Sequence, residues 1–430
     1  MRETLINLVF VLSTQGELFK YSRLLQRLGR NSSLNIILIS AEEWILGDIS
    51  KYVNLKNVQV INLPRIGTNR THIRNSPNPF LEIANSLPSI KNELKAIPNC
   101  HSLIFFNHAT IPTTFGLDSL LQIFIPNLVA RVYTQKNFIS DIDQTNDISF
   151  KERFFILQNI FRILNLFFRK KLGSPGTYSL IFYLLRFGIK SIVLKSKTYI
   201  FCFSRHELKR LKSRGGGKVK LIKNFLLDNY RVSPIKDQSV EKRYVYFFTS
   251  GVFKYKNSKS ILEELDYLKK SYIRAKANGM HFFIKPKPGE SHKLESMLGS
   301  EIPINSVLST NLLELESLSD SAVVITSINS TVFLESILTN TTCFFYDKES
   351  SKKKHIFISK LAFVSADLNS FLSQDTKITT KTTFLDIKKI VFDLLESEEG
   401  ILFEEQVFKI LFFHLPFLDK ESISKSATAL

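Results

Sequence analysis

The residues best suited to chemistry stand between Leu318 and Asp347, LSDSAVVITSINSTVFLESILTNTTCFFYD. Ala322 to Thr326 reads as a buried strand that runs into a polar turn holding Ser327, Asn329, Ser330 and Thr331. A helix carrying Glu335 follows, and then a second strand, Thr342 to Tyr346. The first N–H groups of a helix lack intrahelical partners and lie at the positive end of its dipole, so small hydroxyl residues there suit a phosphate. The bland reading is an N-cap cluster, with Glu335 a solvated helix carboxylate. The binding reading points to a nucleotide-type ligand. Two more loops follow apolar runs in the same half: Thr249-Ser250-Gly251 after Arg243 to Phe248, and Lys285-Pro286-Lys287-Pro288-Gly289 after Met280 to Ile284.

Elements that alternate in type must position these loops. Leu5 to Leu12 reads as an apolar strand, and Gly16 to Leu28 as a helix with Leu18, Tyr21, Leu24, Leu25 and Leu28 on one face. Leu34 to Ser40, Val58 to Leu63, Ser102 to Phe106, Leu128 to Tyr133 and Thr198 to Phe203 continue as strands. Strands alternating with helices argue for βαβ units and a parallel sheet, whose ligands gather at the carboxyl ends of the strands. Asn107-His108 and Thr134-Gln135-Lys136 occupy two such ends. The polar stretch Pro234 to Lys242 reads as a linker, which sets the expected domains at 1–233 and 243–420. Ile387 to Leu415 looks helical and is counted with the second domain. Arg153 to Phe168 and Tyr178 to Phe187 read either as core helices with flanking charges or as a membrane-seated surface.

Composition narrows the classes. A chain of 430 residues exceeds one comfortable core, and 44% hydrophobic with 23% charged residues excludes wholesale disorder. The three cysteines, Cys100, Cys202 and Cys343, are far apart and form no CxxC or Cys/His cluster, which disfavours a disulfide framework or zinc and fits a reducing cytoplasm. Nowhere do about 18 apolar residues run together, so no membrane-spanning helix is expected. The net charge of +19 calls for an anionic partner. No RNA- or DNA-binding signature accompanies it. Much of the excess lies between Lys151 and Lys223 among Phe, Ile and Leu, which suits an anionic membrane surface better than nucleic acid. A merely basic, solvated surface is the alternative.

Two α/β domains with phosphate-friendly loops in the second resemble the GT-B class of nucleotide-sugar glycosyltransferases. YIFCFSRHELKRL…KVKLIKN is similar to the end of a GT-B acceptor domain, and YVYFFTSG to the first strand and glycine loop of a donor domain. Within the class, the chain resembles bacterial capsule and lipopolysaccharide transferases, sialyltransferase-like or glycerophosphotransferase-like. Those carry a Lys-Pro-His-Pro-like loop, and later a Ser/Thr-rich turn followed by an acidic helix residue. Here the motifs stand as Ile284-Lys285-Pro286-Lys287-Pro288-Gly289 and Thr326-Ser327-Ile328-Asn329-Ser330-Thr331, with Glu335 four residues on. Lys287 replaces the usual histidine, a fixed charge in place of a titrating acid. The acidic pair that sialyltransferase-like families place after a first-domain strand has no counterpart at Thr134-Gln135-Lys136.

The resemblance implies two Rossmann-like domains facing a central cleft. It also implies a cytoplasmic enzyme, peripheral on the inner face of the membrane, that moves a sugar from a nucleotide-activated donor to a cell-envelope polysaccharide or glycolipid. Gly251, Lys285, Lys287, Ser327, Ser330, Thr331 and Glu335 would bind the donor, the lysines stabilising the departing phosphate. The catalytic base would come from the first domain, with Glu17 and His108, which follow expected strands, and Asp141 or Asp143 as candidates. No cofactor or metal is expected, since Asp141-Ile-Asp143 lies well past a strand. Two alternatives stay open: a nucleotide-sugar 2-epimerase, although its usual Ser-Gly-Gly turn is Ser-Ile-Asn-Ser here, and a non-catalytic scaffold of the same fold.

Overall fold

The computed structural model describes residues 6–12, 15–40, 58–63, 88–107, 121, 124–134, 197–213, 218–231, 240–254, 258–287, 290–298, 301–308, 318–327, 330–339, 341–346, 366–367 and 395–416. In chain order these give β1 (Ile6–Leu12), α1 (Gln15–Leu28), β2 (Leu34–Ser40), β3 (Val58–Asn62), β4 (His101–Asn107), β5 (Leu128–Thr134), β6 (Thr198–Cys202), α2 (Arg205–Ser213) and β7 (Lys218–Leu221). Then come β8 (Tyr244–Phe248), α3 (Ser258–Ala277), β9 (His281–Lys285), α4 (Ser291–Leu298), β10 (Ala322–Thr326), α5 (Thr331–Leu338), β11 (Thr342–Phe345), β12 (Ala366–Asp367) and α6 (Phe403–His414). The helices expected between Arg153 and Phe187 lie outside the described residues.

Runs such as INLVFVL in β1 and AVVIT in β10 have no polar face, and such strands are stable only inside a parallel sheet covered on both sides. The chain divides into two compact units, Met1–Asp228 with Leu395–Leu430, and Asn229–Leu394. The first holds a seven-stranded sheet in the order β3-β2-β1-β4-β5-β6-β7, and the second a five-stranded sheet in the order β12-β11-β10-β8-β9. All the pairings are parallel.

Rings dominate the core of the first unit. Phe10 stacks on Phe105 with centroids 4.6 Å apart, and Phe403 of α6 lies 5.3 Å from Phe105, 5.5 Å from Phe201 and 5.2 Å from Phe225. These contacts correct the expected domain limits: residues 395–416 pack on the first sheet, whereas the sequence reading ran the second domain on to 420. Helical periodicity reports that a face is buried, and carries no information about which sheet buries it. Polar bonds fix the same return. Asn224 Nδ2 donates to the Leu395 carbonyl at 2.9 Å, and its N–H donates to Glu396 at 3.0 Å. Arg27 of α1 donates to both Asp228 and Glu404 at 2.6 Å. Burial would lower the pKa of its guanidinium, but the two carboxylates outweigh that and raise it.

Truncating Phe403 to alanine removes the ring at the centre of this cluster. The variant should lose about 3–5 kcal/mol in urea unfolding. Amide protection should fall in β1, β4 and β6 and hold in β8 to β11; the reverse pattern would contradict the placement of α6.

Candidate functional site

In the second unit the chain passes from β8 to β9 on one side, then crosses back to place β10 on the other side of β8. The crossovers therefore diverge between β8 and β10, the place where open parallel sheets bind ligands beyond the carboxyl ends of their strands. Three strand ends lie there, with Thr249 to Gly251 after β8, Pro286, Lys287 and Glu290 after β9, and Ser327 and Ser330 after β10.

Two buried carboxyl groups shape the first two loops. Glu290 has 0% exposure. It accepts from the Thr249 hydroxyl, from the Phe253 N–H at 2.9 Å and from the Lys287 N–H at 3.1 Å. The Lys287 N–H also reaches Thr249 Oγ1 at 2.9 Å. Glu264 of α3 takes the Ser250 N–H at 2.8 Å and the Ser250 hydroxyl. Buried polar atoms are costly unless bonded, so these contacts lock loops that would otherwise be mobile. Gly251 closes the turn with φ +103°, and a Cβ there would lie 3.2 Å from Lys287 Cδ. Only glycine accepts that conformation freely. The Lys287 ammonium is exposed and donates to the Ser250 carbonyl at 2.7 Å.

The third loop meets a row of side chains on one face. Val245, Phe247, Ile284, Val323 and Ile325 belong to a single core cluster. Alternation then turns Phe248, Lys285 and Thr326 to the opposite face. Phe248 pairs with Lys285, and Thr326 is one residue beyond the Ile325–Phe247 pair, so the three stand abreast across β9, β8 and β10. On that same face Phe333 of α5 meets Phe345 edge to face. The N-terminus of α5 thus sits over the end of β10. Ser330 caps the helix, its hydroxyl accepting from the Val332 N–H at 3.3 Å, and its own N–H donates to the Ser327 carbonyl at 2.9 Å. Thr326 is 0% exposed, and its hydroxyl has no hydrogen-bond partner among the described residues. Lys285 is 9% exposed, and burial pushes its pKa down to about 8.

Five of the expected donor-site residues with described side chains, Gly251, Lys285, Lys287, Ser327 and Ser330, stand in or beside these three loops. Glu335 is half-buried one turn into α5. Thr331 opens that helix, and Glu17 falls in the first turn of α1; the side chains of both lie outside the described residues, as does His108. The first sheet also diverges between β1 and β4, and α1 follows β1. Sequence reasoning missed Glu290 and Glu264, and quoted Thr249 and Thr326 within their loops without giving either a role. Nothing local signals a carboxyl that binds 41 residues away. Among the described residues no three His, Cys, Asp or Glu side chains are grouped to hold a metal ion, and no helix is long and apolar enough to cross a membrane. Asp141 and Asp143 lie outside the described residues.

Two outcomes follow from this geometry. Glu290→Ala leaves the Thr249 hydroxyl and the Phe253 N–H without their acceptor, and the Lys287 N–H with Thr249 Oγ1 alone; it should cost about 3 kcal/mol, with amide protection lost first at 250–254 and 287. Unchanged protection there would contradict the clamp. The lowered pKa of Lys285 makes stability pH-dependent. Between about pH 8 and pH 10.5 the unfolded chain holds a proton that the folded chain has released, so ligand-free stability rises with pH across that window. Below it both forms are protonated and the cost of burial is fully present. Urea midpoints of the parent and of Lys285→Met check this, since the variant should lack the rise.

No protein-family model matches the chain, and a search of curated protein sequences finds no match. Solved structures do resemble it. Os79 from O. sativa, in complex with U2F and trichothecene, superposes with a TM-score of 0.50 at 11% identity, over 95% of this chain and 100% of that one. A UDP-glucose: anthocyanidin 3-O-glucosyltransferase in complex with UDP gives 0.49 at 13% identity, over 99% and 100%. A UDP-N-acetylglucosamine 2-epimerase gives 0.47 at 11% identity, over 96% and 98%. At such identities a likeness shows the fold alone, which is α/β with two Rossmann-like units, the GT-B class.

Proposed function

We propose that the chain is a glycosyltransferase that binds a nucleotide-sugar at the carboxyl ends of β8, β9 and β10, and passes the sugar to a cell-envelope polysaccharide or glycolipid on the cytoplasmic side of the membrane. One observation carries the reading: the buried, unpartnered hydroxyl of Thr326, abreast of Lys285 and beneath the N-terminus of α5. A buried hydroxyl without a partner costs about 1–3 kcal/mol, which a ligand oxygen would recover. A phosphate oxygen suits it, because Lys285 and the first N–H groups of α5 favour negative charge at the same place.

In the transfer, the acceptor oxygen bonds to the anomeric carbon as the bond from that carbon to the phosphate oxygen breaks. The acceptor proton passes to a base, and the nucleotide diphosphate or monophosphate leaves with the electron pair. Lys285 and Lys287, with Ser327 and Thr331, would stabilise the charge that develops on the leaving phosphate. Lys287 holds a fixed charge here, so it steadies the phosphate without donating a proton to it. Glu335 would accept from ribose or base hydroxyls. Glu17 or His108 of the first unit would take the acceptor proton. The lysines and helix N–H groups supply the positive charge that a metal ion would otherwise bring, so the reaction is proposed to need no metal or other cofactor.

Thermal unfolding against a panel of uridine, cytidine, thymidine, adenosine and guanosine nucleotides tests the reading, since a donor site responds to one base. Thr326→Val should raise the melting temperature without ligand and shrink the nucleotide response, with affinity falling about tenfold or more. If no nucleotide stabilises the protein, or Thr326→Val leaves the affinity intact, the reading fails. Incubation with a donor alone separates a 2-epimerase, which would interconvert the sugar without any acceptor.

A further inference from the structure

The starts of β6 and β7 and the end of α6 gather a second group of side chains, at the edge of the first sheet opposite the carboxyl ends of its strands. The Tyr199 hydroxyl lies 2.9 Å from His414 Nε2, with the two rings edge to face. Lys218 Nζ stands 5.4 Å from the Tyr199 ring centroid and 4.5 Å from that of Phe413. Lys197 immediately precedes β6. Burial lowers the pKa of His414, and the nearby charges of Lys197 and Lys218 lower it further. Lys220 follows on the edge strand β7, on the strand face that Lys218 shares, because Val219 and Leu221 pack on Ile200, Cys202 and Leu211 on the other.

Among the described residues, Lys197, Lys218 and Lys220 form no ion pair, and no carboxylate contributes to the shift at His414. The carboxyl end of α6 offers the equivalent of about half a negative charge, well short of three ammonium groups. Beside them Phe413 is 68% exposed. A lone exposed ring is ordinary, and so is a lone lysine. An unpaired cationic cluster around an exposed phenylalanine is the combination that interfacial membrane contacts use, with charges against headgroup phosphates and the ring at the acyl boundary. Single-stranded nucleic acid would need a series of aromatic platforms for successive bases, and the described residues of this edge expose one.

We propose that the edge formed by Lys197, Lys218, Lys220 and Phe413 docks the protein on an anionic bilayer. The docking stands independently of the donor site, which lies in the other unit. Co-sedimentation of the full chain with vesicles tests it, using phosphatidylcholine alone and an equal mixture with phosphatidylglycerol. The parent should bind the mixed vesicles and not the neutral ones, and added salt should weaken the binding. Lys197→Glu with Lys218→Glu should weaken it about 30-fold or more, and Phe413→Ser about tenfold. Lys276→Glu with Lys293→Glu, the same charge change on exposed positions of α3 and α4, should leave it unchanged. Equal losses in the two lysine pairs would show bulk charge alone and overturn the proposal. So would full binding by Phe413→Ser, or a parent that ignores anionic vesicles while binding single-stranded RNA.

Discussion

Glu290 has no water to share its hydrogen bonds with, so its oxygens must find donors within the protein. They find the Thr249 hydroxyl and the N–H groups of Phe253 and Lys287, which belong to the loops after β8 and β9. Each bond alone is modest. Together they are cooperative, because losing one loop strands the carboxyl for the other. The positive φ of Gly251 and the reach of Lys287 to the Ser250 carbonyl depend on that clamp. So does the fixed position of the β9 end, where Lys285 stands.

The contrast with Thr326 gives the site its direction. At the same end of the sheet stand a carboxyl held by three donors and a buried hydroxyl that has no partner among the described residues. One end of the sheet is therefore rigid before any ligand arrives, while the Thr326 hydroxyl there is short of a partner. That is the condition for binding without a large ordering cost. A buried lysine with its pKa pushed down to about 8 adds a charge whose cost an anion would relieve.

Much of this was readable from the sequence. Apolar runs marked β1 to β6 and β8 to β11 to within a residue or two, because a strand buried on both faces has little other composition to use; the two-residue β12 carried no such run. The polar residues just past those runs marked Gly251, Lys285, Lys287, Ser327 and Ser330, since strand ends are where a parallel sheet exposes loops. Partners distant in sequence were not readable. Glu290 looks like any glutamate after a glycine, and its bond to Thr249 spans 41 residues. The same limit hid Phe403, whose helix was visible but whose sheet was not, and the joint hold of Arg27 on Asp228 and Glu404.

The proposed donor site sets an anionic ligand against Lys285. Such a ligand would raise the lysine's pKa from about 8, so binding near pH 8 must draw a proton from the buffer. Titration calorimetry of the stabilising nucleotide at that pH, in two buffers of different ionisation enthalpy, measures the proton directly. The account predicts an uptake approaching about half a proton per site, which disappears in Lys285→Met. Binding with no proton uptake, or with the same uptake in the variant, would contradict it.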